Sequence, residues 1–467
     1  MRPTMPTARP PADQSTHPVG PVGQLPELVE AFGLDTVVLA AVDVQGRLKG
    51  KEFDAGVLLA RLASGRLAPE MCGYVIGTDL GMTPPATGEF SWESGFGDVA
   101  LLPDLDRARV IPWEPGTAIV FARPVDGDRP HPLAPATILD KQLALLQNLG
   151  YEVRVGIETE FVVYQGTGTD LTAADWRGLR PVTWDNRDYA LDRPVTAAGF
   201  SRSLRQALAE AGLPVEAVKL ESAPGQIEVT FPYGPASEAC EQHVLFKHAT
   251  KVVAEQQGLA ATFMAAPAAG VGSGMHLHLS LWSADGEALL VSAEDEHALS
   301  VLGERAVAGL LEVLPQVAPM WAPYVNSYKR LGGAFAPSKL VWGRDNRSCA
   351  VRVVGHGRGL HLEVRLPGAD ANPYLAVAAA VAGVRHGITG DLKLCEPVTG
   401  NADWDEDLPV VPRHPYYAID VFETSRVASE LLGERVVAHL ASLADLEVDH
   451  HAARVTDAEL ARGFAQA

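Results

Sequence analysis

Apolar and polar residues alternate strictly in three stretches of this 467-residue chain, at 155–161, 272–281 and 360–366. A period of two is that of a strand, whose successive side chains point to opposite faces. Glu158 and Glu160 therefore share one face, against Ile157, Thr159 and Phe161 on the other. His276, His278 and Ser280 oppose Met275, Leu277, Leu279 and Leu281 in the same way, and His361, Glu363 and Arg365 oppose Leu362, Val364 and Leu366. In 219–230, Glu221 and Glu228 flank a Pro-Gly turn between two further strands. Several strands with one polar and one apolar face, interleaved with helices, predict a curved, largely antiparallel sheet around a polar funnel.

The rest of the chain is organised around that sheet. The pattern predicts a helix over 25–32, a strand over 36–43 with Gln45-Gly46 as its turn, a helix over 53–62, and strands at 98–103 and 117–122. Residues 124–135 are dense in Pro and Gly and precede a helix over 135–150, which puts a domain boundary after 125. Beyond it come the Glu158 strand, an irregular polar stretch over 165–200, a helix over 201–211 and a long amphipathic helix over 236–257. Asn372-Pro373 caps a helix running to about 385, and helices follow from about 421. The expected class is α+β: a disordered tail over 1–24, a small N-terminal domain over 25–125 and a large domain over 126–467.

Length and composition agree with two globular domains, since single cores stop growing at roughly 250–300 residues. Hydrophobic residues make up 47% of the chain and charged residues 21%, which excludes a disordered or fibrous protein. Lys plus Arg number 38 against 58 Asp plus Glu, and the resulting −20 disfavours nucleic acid and anionic membranes as partners. The four cysteines form no CxxC, so they read as reduced, mostly buried thiols. No run approaches the ~20 apolar residues needed to span a bilayer, and the N-terminal segment lacks an apolar signal core. The expected location is cytoplasmic.

The chemistry lies on the polar faces. Two carboxylates about 7 Å apart on one strand face repel unless the face is open to water or a cation sits between them. Pooling the faces gives Glu158, Glu160, Glu221, Glu228 and Glu363 with His276, an oxygen-rich set that suits Mg²⁺ or Mn²⁺ better than zinc. Five acids suit more than one ion, at least two per site, and paired hard ions commonly clamp a polyphosphate. A nucleotide is implied as substrate. Arg330, Arg347, Arg352 and Arg365 present planar forks matched to carboxylate and phosphate oxygens. His278 is placed near nucleotide and His361 is left unassigned. No GxSxG, Walker or Rossmann motif competes, because Gly270-Val-Gly-Ser-Gly274 precedes a strand.

These residues stand in a recognisable order. Gly156-Ile-Glu-Thr-Glu-Phe161, Glu221-Ser-Ala-Pro-Gly-Gln-Ile-Glu228, Gly272-Ser-Gly-Met-His-Leu-His278, Asn326-Ser-Tyr-Lys-Arg330, Trp342-Gly-Arg-Asp-Asn-Arg-Ser348 and Glu363-Val-Arg365 with Ala371-Asn-Pro-Tyr374 resemble the motifs of the glutamine synthetase family. The resemblance implies a β-grasp N-terminal domain, a funnel-shaped catalytic domain, and ATP-dependent ligation of glutamate to an amine through γ-glutamyl phosphate. It implies one metal on Glu160, Glu221 and Glu228 and a second on Glu158, His276 and Glu363. Arg330 and Arg365 would grip glutamate, with Gly272 lining that pocket; Arg330, Arg347 and Arg365 would be catalytic. Arg347 and Arg352 would face the ATP phosphates, and Glu216, His278 and Ser280 the nucleotide. A homo-oligomer of two stacked hexamers, with sites between subunits, is implied as well.

The departures bear on the amine. The loop after Arg330 has Ala336 where the family carries a glutamate that helps bind ammonium, and the family's Phe-Asp-Gly-Ser-Ser segment is replaced by Thr83-Pro-Pro-Ala-Thr-Gly-Glu-Phe-Ser-Trp92. The Asn-Leu-Tyr adenylylation signature is absent, and Ala266 replaces a customary lysine. Metal and ATP machinery without an ammonium site is similar to the γ-glutamylamide synthetases. The expected amine is a polyamine or ethanolamine, leaning toward polyamines, with ammonium and a non-catalytic relative as alternatives. Glu89 or Glu93 is a candidate acceptor for the amine proton.

Overall fold

The structure is a computed structural model that describes residues 20–65, 69–333 and 335–466. Most of the expected N-terminal tail, residues 1–19, lies outside these. Residues Val22–Gly23 form a short strand antiparallel to Ala108–Val110.

The expected α+β class is found, as two open mixed sheets flanked by helices. In the first sheet Thr36–Val42 is an inner strand, parallel to Thr117–Asp126 on one side and antiparallel to Leu48–Asp54 on the other. Helix Ala55–Ala63 packs back on it, capped by Asp54, whose side chain accepts from the Val57 amide at 2.8 Å. The sequence places that helix two residues too early and misses the strand before it. Leu48-Lys-Gly-Lys-Glu-Phe-Asp54 is mostly exposed, so no alternation of apolar residues marks it. Thr117–Asp126 also runs past its expected end and pairs with Arg129–Pro130, so the breaker-rich stretch begins as a hairpin of the first sheet.

The second sheet carries the polar faces. Its order is Ala217–Leu220, Gln226–Thr230, Tyr151–Gln165, Met275–Ser283, His361–Val364, Cys349–Val354 and Lys339–Arg344. Every pair along this path is antiparallel except the last, which is parallel. Its apolar face buries Val155, Ile157, Leu277, Leu279, Leu362 and Val364 in one core with helix Pro373–Thr389. That helix is buried nearly all round, and it approaches helix Val301–Val313 so closely that a Cβ on Gly387 would lie 1.9 Å from the Arg305 carbonyl oxygen. The irregular stretch over 165–200 contains a short helix, Gly168–Ala173. The helix expected from 201 begins at Val195, because Ala197, Phe200, Leu204 and Leu208 already make one buried stripe. Of the cysteines, Cys240 and Cys349 are buried, Cys72 is half-buried and Cys395 is exposed.

Among the contacts that fasten the two regions together, two stand out. Asn372 caps helix Pro373–Thr389 by accepting from the Tyr374 amide, while its Nδ2 donates to the carbonyls of Asp43 and Val44 at 3.0 and 3.2 Å. Farther out, His439 on helix Glu434–Ala452 is buried against Phe90 and Gly77, with Glu89, His131 and Arg435 around it. Burial, with help from the His131 and Arg435 charges, pushes its pKa down to about 4. The unfolded chain therefore binds the extra proton first. The share of stability owed to neutral His439 is complete above about pH 6.5 and is lost as pH falls toward 4, with a limit on the order of 3 kcal/mol. His439→Leu is expected to flatten the dependence of the urea midpoint on pH in that window; an unchanged slope would count against it.

Candidate active site

The polar face of the second sheet brings together the acids that the sequence pools. Antiparallel register sets Glu228 across from Glu160 and His276 across from Glu158. Two groups of three donors result, Glu160 with Glu221 and Glu228, and Glu158 with His276 and Glu363, each with its donor atoms within 4.8 Å of one another. In the second group, His276 Nδ1 lies 3.1 Å from Glu158 and 3.6 Å from Glu363.

So many carboxylates in one place demand compensation, and the structure shows its sources. Glu160 accepts from the Gly274 amide at 2.8 Å and from Gln226 Nε2 at 3.0 Å, while burial raises its pKa. Burial works against charge on Glu158 too, but bonds from His276 and His278 outweigh it and hold that carboxyl well below its usual range. Glu228, which shares a hydrogen bond with Glu158, is pushed up by burial and by the Glu158 charge. The carboxylate of Glu363 is only 2% exposed; burial opposes its charge, yet His276 and Arg365 bring its pKa to about 2. It receives Arg352 Nη1 at 2.8 Å and Arg365 Nη1 at 2.6 Å.

The cationic wall stands beside these groups. Arg330, buried at the end of helix Val325–Arg330, donates to the Leu366 and Arg365 carbonyls at 2.9 and 3.3 Å. It fits because two neighbours lack side chains: a Cβ on Gly272 would lie 3.2 Å from its Cγ, and one on Gly274 would lie 2.6 Å from Nη2 and 2.8 Å from His276 Nε2. The Arg365 Nε is buried with no hydrogen-bond partner among the described residues, and its Nη2 reaches only the Phe335 carbonyl, at 3.5 Å. A buried guanidinium with an unused donor has the chemistry to bind an anion. Arg352 is held by Asp345 as well as Glu363, whereas Arg347 is exposed in the turn between the last two strands.

Of the remaining residues of the expected nucleotide site, His278 and Ser280 lie along the same face. His278 lies across from Glu363 and Gly156, its Nε2 3.7 Å from Glu158, and its Nδ1 pairs with His361 at 3.1 Å. Ser280 lies across from Arg154, and Glu216 is exposed at the outer edge strand. Arg154, Tyr233 and Glu152 line a cleft of about 850 Å³, and the Arg154 guanidinium stacks 4.5 Å from the Trp282 ring centroid. Sequence reasoning passed over Arg154, although it alternates with Glu158 and Glu160 on one strand face. It also passed over Gln226, Gly274, Asp345 and Lys219, which act through contacts between strands. Glu89, a candidate proton acceptor, is paired with Arg435 and with His131 at 3.3 Å, and Glu93 accepts from the Gly88 amide of its own loop.

Residues 132–462 match the family model described as glutamine synthetase, catalytic domain. Over 99% of both chains the sequence is 42% identical to a gamma-glutamylethanolamide synthetase, GlnA4, of Streptomyces coelicolor. It is 31% identical to a glutamate–isopropylamine ligase of a Pseudomonas species, over 93% of this chain and 96% of the other. A solved structure described as a GmaS/ADP complex superposes with a TM-score of 0.82 at 25% identity, covering 95% of this chain and 99% of that one.

Proposed function

This chain belongs to the glutamine synthetase family and is a glutamate–amine ligase, and we propose that it joins the γ-carboxyl of glutamate to ethanolamine or a primary amine of similar length, at the expense of ATP. The observation that carries the choice of amine is the full-length likeness to a protein named for γ-glutamylethanolamide synthesis. Ala336 supports it: the residue is 5% exposed in the loop after Arg330, so this position sends no carboxylate toward the Arg365 site. A polyamine, toward which the sequence leans, has no such support in the named relatives above and becomes an outcome of the test.

In this reading Glu160, Glu221 and Glu228 would hold one divalent ion and Glu158, His276 and Glu363 another; the hard oxygen donors suit Mg²⁺ or Mn²⁺. Such ions, when bound, neutralise phosphate charge. The chain's own groups do the positioning. Arg365, with its unused Nε, and Arg330 orient the glutamate γ-carboxylate, whose oxygen attacks the γ-phosphorus of ATP; γ-glutamyl phosphate forms and ADP leaves. Arg352, fixed by Asp345 and Glu363, and the freer Arg347 meet the phosphates. Glu216, His278 and Ser280 face the nucleotide, and the cleft beside Arg154 and Trp282 has room for its base. The amine nitrogen then attacks the acyl phosphate, expels phosphate and gives up a proton. The Glu158 and Glu160 clusters are complete, which favours catalysis over a purely structural role.

The test is kcat/KM for ethanolamine, putrescine, spermidine and ammonium under one set of conditions, with phosphate release as the readout. Ethanolamine is expected to lead by at least about tenfold, the discrimination that one or two well-placed contacts supply. If ammonium leads, the argument from Ala336 is wrong; if a polyamine leads, the site is longer than this reading allows.

A further inference from the structure

Lys219 has no role in the reaction just described, yet its ammonium lies against Glu221 and Glu228 of the Glu160, Glu221 and Glu228 group. The residue sits directly across from Glu228 in the strand pair Ala217–Leu220 and Gln226–Thr230. Its Nζ contacts Glu221 and lies 3.5 Å from Glu228 Oε1. On its other side, Nζ is 3.5 Å from Asp188 Oδ1 and 4.5 Å from the centroid of the Tyr189 ring. The two sides differ in depth. The Glu221 and Glu228 side chains are 13% and 9% exposed, and that of Asp188 is 40% exposed. The outer side is fixed relative to the strand, because the Tyr189 amide donates to the Leu220 carbonyl at 3.2 Å.

We propose that Lys219 is the resident counter-ion of the Glu160, Glu221 and Glu228 group, that a divalent ion entering this group must displace it, and that Asp188 with the Tyr189 ring is the outer berth that keeps the ammonium afterwards. The proposal rests on the metal reading given above. A single ammonium offsets part of the charge of three clustered carboxylates, so the fold tolerates the cluster without an ion. The oxygens it occupies are the ones a divalent ion needs, and ammonium and dication at such distances repel each other strongly. The lysine stem is flexible, so the ammonium can move between berths without a shift of the backbone. A carboxylate and an aromatic face are both favourable partners for an ammonium and are already within reach. Metal affinity at this group is then an exchange of one cation for another, set by the strength of the outer berth.

The experiment counts Mn²⁺ bound to the full-length protein without nucleotide, from the loss of the free-ion electron paramagnetic resonance signal. Lys219→Met is expected to bind the ion of this group about tenfold more tightly than the parent protein, as removal of one close positive charge predicts. Its metal-free form is expected to melt at a lower temperature and to gain more on adding Mn²⁺. Asp188→Asn, which weakens only the outer berth, is expected to lower the affinity, and to have no effect once Lys219 is methionine. Equal Mn²⁺ affinity in the parent and in Lys219→Met overturns the proposal. Glu221→Gln separates that failure from failure of the metal reading: the number of ions bound should drop by one. An unchanged number removes this group as a metal site and the proposal with it.

Discussion

Glu160→Ala and Glu228→Ala are each expected to lower turnover by at least about a thousandfold while leaving the melting temperature of the metal-free protein unchanged or raised. The loss follows from the proposed role, since removal of one of three ligands leaves an ion poorly held where phosphate charge must be neutralised. The stability side follows from electrostatics. Glu160 is half-buried beside Glu221, Glu228 is buried beside Glu158, and desolvation raises the pKa of both. Each carboxylate therefore sits where charge is disfavoured, and deleting one relieves repulsion. The balancing loss for Glu228 is the hydrogen bond it shares with Glu158, which keeps His276 and His278, while its cation partner Lys219 keeps Glu221 and Asp188. For Glu160 it is the bonds from Gly274 and Gln226, and Gln226 retains Gly272 and Ser273 as partners. Near-normal phosphate release by either variant removes that residue from the metal set. A melting temperature lower by many degrees would mean that the cluster is structural.

The second large effect is expected at Arg365. Arg365→Met should lower kcat/KM for glutamate by at least about a thousandfold while leaving ATP binding within a few fold, as loss of a fork that grips the reacting carboxylate predicts. The residue is 5% exposed, donates to Glu363 and leaves its Nε unused, which suits the proposed grip on a substrate anion. Removing the charge also strips Glu363 of one of its two guanidinium partners, although Arg352 remains at 2.8 Å. Arg365→Lys separates the two contributions: it keeps a positive charge beside Glu363 and loses the fork. If charge alone matters, lysine restores most of the activity. If the planar geometry matters, as proposed, lysine stays within about tenfold of methionine. Equal losses in glutamate and ATP affinity would argue that Arg365 supports the site as a whole and does not grip glutamate.

How much of this was legible before the structure depends on the range of the interaction concerned. Alternation with period two was enough to put Glu158 with Glu160, His276 with His278, and Glu363 with Arg365, because the pleat alone sends every second side chain to one face. The caps were equally local: Asn372 before Pro373 marks a helix start whatever surrounds it. Where a strand lies exposed the signal vanishes, so Leu48–Asp54 carries no alternation although the Gln45-Gly46 turn before it is legible. Family motifs extended the local reading to the grouping of the acids, but spacing along the chain could not have supplied it.

Only the tertiary structure decides which polar faces meet. The pairing of Glu160 with Glu228, and of Glu158 with His276, is a property of strand register, and a slip by one residue would turn each set toward the core. The same holds for contacts formed across elements. Arg352 finds Asp345 across the last strand pair, Glu89 is drawn to Arg435 at the junction with helix Glu434–Ala452, and Lys219 enters the acidic group with Asp188 and Tyr189 behind it. Charge in a sequence says how much repulsion must be balanced. Which cation balances it is fixed by distances of a few ångströms, and those are set when separate strands are brought into one sheet.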